Sequence, residues 1–326
     1  MSVLHRRRVT AALLLLPFAR TRPALAADEP LHLLVGYAAG GGADNIARIV
    51  SASLSVDGAP TLVENRPGAA GQVAMHEAAR APLERPTLLL GTVGSVSIGP
   101  LLASGPEAPV RSLQPLAIIG STPHVLLMAG DGERTADARA ALLQQLAEAR
   151  RRPGEIPYAS LGIHSSAHLV GELMCRQAGV SMVHVPYPGS ARALVDLQGG
   201  HVRLLVSTLQ AALPLMQQGR VRALAVTGKT RSPLAPSVPT FAEAGIPGML
   251  QAAWYGVLAA PSLPVSHGQA LSARFARLLH APALRQRLAQ GGAEPLSLTG
   301  QQAVDYLARQ RDIWRQAIAA VADRIG

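Results

Sequence analysis

Residues 31–54 read LHLLVGYAAGGGADNIARIVSASL: a short apolar run, a cluster of glycines, then apolar residues at helical spacing. Leu31–Val35 reads as a strand, and Ile46, Ala47, Val50 and Leu54 repeat at the period of a helix over 44–54. Between them, Gly40-Gly41-Gly42 allows successive backbone N–H groups to converge at a helix N-terminus, where orphan donors and the helix dipole favour an anion. The loop does not match G-x-G-x-x-G, because Asn45 stands where the last glycine would be if Gly40 were the first. A dinucleotide fold is therefore not supported.

The same alternation continues in both directions from this stretch. Further strands are expected at 61–64, 88–91, 114–120 and 124–129, the last two on either side of Pro123. A helix over 137–152 leads to a second series: strand 157–160, helix 166–178, strand 182–185, helix 191–198, strand 203–207, helix 210–217 and strand 223–227. A strand at 254–259 and helices near 269–279, 282–289 and 301–322 complete the chain. Apolar runs alternating with helices imply parallel sheets with crossover helices, an α/β fold. Two such units are expected, joined at Pro123 and again before Trp254, with the C-terminal helices returning to the first.

Composition narrows the function. The chain has 326 residues, enough for two domains, and 48% hydrophobic residues against 15% charged, which excludes global disorder. Only 3% are aromatic, which argues against a surface of stacked bases. Half of the net charge of +10 rests on Arg6, Arg7, Arg8, Arg20 and Arg22, so the basic balance is no nucleic-acid signature. Those arginines flank the apolar stretch 9–19, and Ala24-Leu25-Ala26 offers small residues for cleavage. Residues 1–26 therefore read as a signal peptide, and the mature protein is expected in the periplasm. Cys175, the single cysteine, allows no intrachain disulfide.

Enzyme motifs do not assemble. Gly228-Lys229-Thr230 lacks the first glycine of a P-loop, since Ala223 stands there. Ser97 and Ser160 are followed by Gly99 and Gly162, but Ser95 and Tyr158 stand where a nucleophile elbow needs its first glycine. His164 and His168 share i,i+4 spacing without H-E-x-x-H or a third ligand, so no metal and no cofactor is expected. Two further loops carry the anion-friendly geometry of the first. Ser165 or Ser166 can cap the helix beginning there, and Tyr187-Pro188-Gly189-Ser190 opens the next one. Three such mouths, facing one another between two domains, could enclose a small acid.

At these residues the chain resembles the extracytoplasmic substrate-binding proteins of tripartite tricarboxylate transporters, the Bug family. The matching pieces include Gly40-Gly41-Gly42-Ala43-Asp44-Asn45 and Val63-Glu64-Asn65-Arg66-Pro67-Gly68. Ser165-Ser166-Ala167-His168, His184-Val185-Pro186-Tyr187, Val238-Pro239-Thr240 and Trp254-Tyr255-Gly256 follow in order. The resemblance implies a type II periplasmic binding protein fold, two α/β domains with a ligand cleft between them. Domain 1 would comprise 27–123 and 250–326, and domain 2 would comprise 124–249. It implies a monomeric, non-enzymatic receptor for a small carboxylate that delivers its solute to membrane transporter subunits. Presentation of the ligand to a sensor kinase, or hydrolysis by Ser166 with His168, are the alternatives.

By position, the resemblance implies a ligand site made of Tyr37, Gly41, Gly42, Asp44 and Thr92 with Ser165, Ser166, His168, Tyr187, Gly189 and Ser190. Asn65 and Arg66 are expected to brace the turn at Pro67-Gly68. Several residues depart from the family pattern. Gly36-Tyr37-Ala38-Ala39 stands where Pro-Phe-x-Pro is common, Pro188 where lysine is, Ser207 where an acidic or small residue is, and Arg192 where a small residue or proline is. Arg192 is a candidate for the distal end of the ligand.

Overall fold

A computed structural model describes residues 29–103, 108–130 and 137–325; the expected signal peptide lies outside them. The chain runs β1 (Leu31–Val35), α1 (Gly42–Val56), β2 (Thr61–Asn65), α2 (Gln72–Ala79) and β3 (Thr87–Thr92). A π-helical segment, Val93–Ile98, and short helices α3 (Gly99–Leu102) and α4 (Ala108–Ser112) lead to β4 (Gln114–Ala129). Then come α5 (Ala138–Arg151), β5 (Pro157–Ser160), α6 (Ser166–Ala178), β6 (Val183–Pro186), α7 (Ser190–Gln198), β7 (Leu204–Thr208), α8 (Leu209–Gln217) and β8 (Val221–Val226). The last elements are β9 (Ala252–Ala259), α9 (Val265–Leu278), α10 (Pro282–Gln290), β10 (Glu294–Thr299) and α11 (Gln301–Ala320).

β1 pairs in parallel with β2 on one side and β3 on the other, and β3 pairs antiparallel with β9. Leu33, Leu34 and Val35 are wholly buried, as strands covered on both faces require. On α1, Ile46, Ala47, Val50 and Leu54 form the buried stripe that the sequence spacing predicts. In the second sheet β5 pairs in parallel with β6 and β7.

β4 belongs to both sheets. Residues 114–123 pair with β9, while 124–129 pair with β7 and β8. The sequence reading divides this strand at Pro123, but the structure runs straight through it. Its ladder with β9 ends at the Pro123–Ala252 pair, and the next donor, His124 N–H, is taken by Thr227 Oγ1 at 2.9 Å. A proline is tolerated where the strand changes partners, and Pro115 similarly sits at a shift of register. β10, which the sequence reading missed, pairs antiparallel with β4.

The closing helices divide their loyalty. Phe275, Leu279, Leu284 and Leu288 of the α9–α10 region pack with Val50, Leu54 and Val257 of the first unit. α11 and its C-cap instead carry Trp314, Ala317 and Val321 into a core shared by Ile98 and Ile118 of the first unit and Val170 and Met174 of the second. Cys175 is buried in that core, and burial pushes its thiol up to about 12. Among the described residues no helix is long and apolar enough to cross a membrane.

Candidate functional site

A cavity of about 170 Å³ lies where loops of the two sheets meet. The first sheet contributes Tyr37, Gly41, Gly42 and Thr92, and the second contributes Ser165, Ser166, Gly189 and Ser190. Val93, Leu161, Trp254 and Tyr255 supply apolar walls.

Two helices open onto this space without a side-chain cap. α1 follows Gly41 and α7 follows Gly189, and neither cap position offers a side chain to the first N–H groups. Gly189 has φ 152° and ψ 177°, a conformation essentially reserved for glycine. A methyl group on Gly41 would lie 3.5 Å from Ser190 Oγ, so the two helix starts meet across the cavity. Orphan donors converging from opposite sides can hold an anion without a fixed cation. The Ser165 mouth and the turn at Thr92 satisfy their own donors. Ser165 Oγ accepts His168 N–H at 3.2 Å, and Thr92 and Ser95 cap each other reciprocally.

Of the residues expected at the site, Asp44, His168 and Tyr187 are not among the cavity walls. Asp44 Oδ2 accepts Gly40 N–H at 3.0 Å and Arg48 Nε at 2.8 Å, while Oδ1 accepts Asn65 Nδ2 at 3.0 Å. Burial alone would raise its pKa, but these hydrogen bonds outweigh burial and hold the carboxyl below its ordinary range. Asp44 thus fixes the glycine loop from behind. Asn65 shares that task, because its amide also donates to Tyr37 O at 3.0 Å. Arg66 pairs with Glu64 and Glu77.

Tyr187 OH donates to Asp196 Oδ2 at 3.0 Å. Asp196 Oδ1 also receives Arg192 Nε at 3.2 Å, and the Arg192 side chain is 70% exposed at the cavity rim. An exposed, already paired guanidinium adds little attraction. Arg192→Ala should change affinity for a monocarboxylate by less than roughly fivefold in calorimetry. A larger loss would give Arg192 a direct part in binding.

Behind the Gly162–Ser166 loop lies a histidine cluster. The His168 ring stacks on His184 with centroids 3.8 Å apart, and His168 Nδ1 accepts His164 N–H at 3.1 Å. Burial holds His168 at about 3, with His184 and His164 pressing the same way. Burial likewise holds His124 at about 4. Both rings are neutral when folded and take protons when unfolded below pH ~6.5, so the unfolded state binds more protons there. Stability should fall as pH drops from about 6.5 toward 4, by about 1.4 kcal/mol per pH unit for each ring. A flat series of melting temperatures between pH 7 and 4.5 would contradict this.

Ser166 Oγ lies 2.8 Å from His124 Nε2, not against His168 as the hydrolase alternative requires. This spacing suits a nucleophile and its base, yet the partner of Nδ1 is the Gln251 carbonyl at 3.3 Å, not a carboxylate. A buried imidazole held at about 4 is a poor general base near neutral pH. Sequence reasoning missed the walls formed by Trp254 and Tyr255, although both stand in a motif shared with the family. Their burial comes from strands remote in sequence.

The model of the tripartite tricarboxylate transporter family receptor matches residues 46–322. The chain belongs to this receptor family. BugT of Bordetella pertussis is 31% identical, over 88% of this chain and 87% of BugT. The structure of R. palustris Rpa4515 with adipate shares 30% identity at a TM-score of 0.82, covering 90% of this chain and 98% of the other. MatC from Rhodopseudomonas palustris with bound malate shares 26% at 0.77, covering 89% and 99%. The tripartite tricarboxylate transporter receptor described here thus has the two-domain α/β fold of periplasmic solute-binding proteins, and it is not an enzyme.

Proposed function

We propose that this receptor captures a small carboxylic acid in the cavity between its two sheets and delivers it to the membrane subunits of a tripartite tricarboxylate-type transporter. The observation that carries this reading is the pair of uncapped helix starts, α1 and α7, facing each other across a cavity with apolar walls. They suit a carboxylate attached to a compact apolar body. Adipate with Rpa4515 and malate with MatC support the same ligand class. The moving parts are residues 27–123 with 250–326 and residues 124–249. A ligand touched by both favours the closed arrangement. The receptor is exported after cleavage near Ala26 and acts as a monomer.

Native mass spectrometry on residues 27–326, followed by calorimetry against mono-, di- and tricarboxylates, tests the binding step. Micromolar affinity, ~8 kcal/mol, for one class is expected, and absence of binding across the panel would overturn the reading. Reconstituted uptake with transporter subunits tests delivery, and capture by a sensor-kinase outer domain without uptake would replace it with signalling.

A further inference from the structure

His124 is wholly buried where β4 passes from one sheet to the other. Its main chain is held on both sides by Thr227: His124 N–H donates to Thr227 Oγ1 at 2.9 Å, and Thr227 N–H donates to the His124 carbonyl at 2.9 Å. Its ring meets the Trp314 ring edge-on, with centroids 6.4 Å apart. The ring nitrogens have unlike partners. Nδ1 faces the Gln251 carbonyl at 3.3 Å, which can only accept, so Nδ1 carries the proton. Nε2 of the neutral ring is then a bare acceptor, and it faces Ser166 Oγ at 2.8 Å.

A serine hydroxyl has one proton. With that proton given to His124, only the lone pairs of Ser166 remain for the cavity that it lines. We propose that Ser166 is an acceptor subsite, oriented by His124, and that the captured acid carries a hydroxyl or amide N–H against it. This rests on the receptor reading above and narrows it. The carboxylate is held by the starts of α1 and α7, while the donor elsewhere on the ligand is read by Ser166. His124 acts only through Ser166 and is a positioning residue.

A second carboxylate at Ser166 would set acceptor against acceptor. Such a diacid can be seated only if one proton enters from solvent, either onto His124, which then donates to Ser166, or onto the diacid itself. Burial sets the low proton affinity of His124, partly opposed by the Gln251 carbonyl, and no charged group contributes among the described residues. That leaves the ring neutral in the unliganded protein near neutral pH. The polarity of the subsite therefore follows from the ring's two hydrogen bonds.

The test is calorimetry of residues 27–326 with ω-hydroxy acids of four to eight carbons, the ω-methoxy acids of equal length, and the dicarboxylates of equal length. Each is measured in two buffers of different ionisation enthalpy. The best hydroxy acid should bind about tenfold tighter than its methoxy ether, which has no proton to donate. It should bind without net proton exchange, whereas any diacid that binds should take up about one proton. Ser166→Ala should abolish both the preference and the proton uptake. His124→Phe should erase the preference as well, because Ser166 regains its proton. A diacid that binds as tightly as the hydroxy acid without proton uptake would overturn the inference and leave the receptor reading standing. Failure of every probe to bind would overturn the receptor reading, and this inference with it.

Discussion

Arg324→Ala is expected to lower the unfolding free energy by about 2–3 kcal/mol. Arg324 lies just beyond α11 and reaches into α6, where its Nε donates to Glu172 Oε2 at 2.8 Å and its Nη2 to the Val180 carbonyl at 3.1 Å. Glu172 is 5% exposed, and its other oxygen accepts the Tyr158 hydroxyl at 2.5 Å. Burial and the neighbouring Glu172 together push the Tyr158 hydroxyl far above its ordinary range, so it remains a donor. Burial would loosen Arg324's hold on its proton, but the hydrogen bond and charge of Glu172, joined by Cys175 and Asp323, together outweigh burial and strengthen that hold. Removing the guanidinium leaves a buried carboxylate with one partner. Breaking a buried pair costs about 3–5 kcal/mol, and the partial exposure of Arg324 lets water recover some of it. Denaturant titration of Arg324→Ala, Glu172→Gln and the double variant measures the coupling. The double variant should be more stable than Arg324→Ala alone. A loss below about 0.5 kcal/mol for Arg324→Ala would show that the clamp contributes nothing beyond a surface ion pair.

Gln210→Ala is expected to weaken ligand binding by about tenfold to a hundredfold, though Gln210 is not a wall of the cavity. Gln210 stands in the first turn of α8 and reaches across to the opposite unit. Its Nε2 donates to the Gly42 carbonyl at 2.9 Å, and its Oε1 accepts the Tyr255 hydroxyl at 3.2 Å. Its backbone N–H donates to Thr122 Oγ1 at 3.2 Å. These bonds tie the start of α1 to the second sheet and hold the two helix mouths at their present separation. Truncation removes both side-chain bonds and leaves the buried Tyr255 hydroxyl with Thr208 as its remaining side-chain partner, a cost of roughly 1–3 kcal/mol for the two lost bonds in this arrangement. Apparent affinity falls with the population of the competent form. Stopped-flow binding should place the loss mainly in faster dissociation, with the melting temperature of the free protein little changed. Unchanged affinity would show that the seam is held elsewhere.

The two α/β units are written in local patterns. β5 and α6 begin and end where the apolar run at 157–160 and the serine start at 166 place them. Features made by distant partners were not legible. β4 looks broken at Pro123 until its change of partners is known, and β10 carries Pro295 within an alternation too short to stand alone. The glycine mouths were legible because glycine marks unusual backbone. Asp44, His168 and Tyr187 carry the chemistry expected of a binding site, yet local hydrogen bonds and ring stacking engage all three. The reverse held for Trp254 and Tyr255, whose place in the wall depends on how β9 lies between β3 and β4.

The straddling of both cores by α11 bears on the order in which the protein matures. The chain emerges from its N-terminus, and the second unit can form its strands early, but Trp314, Ala317 and Val321 arrive last. Until they do, Val170 and Met174 lack part of their cover and Glu172 lacks Arg324. The final turns therefore complete cover that spans both units. Without α11 both cores stay open on one side, so a single helix closes two units at once.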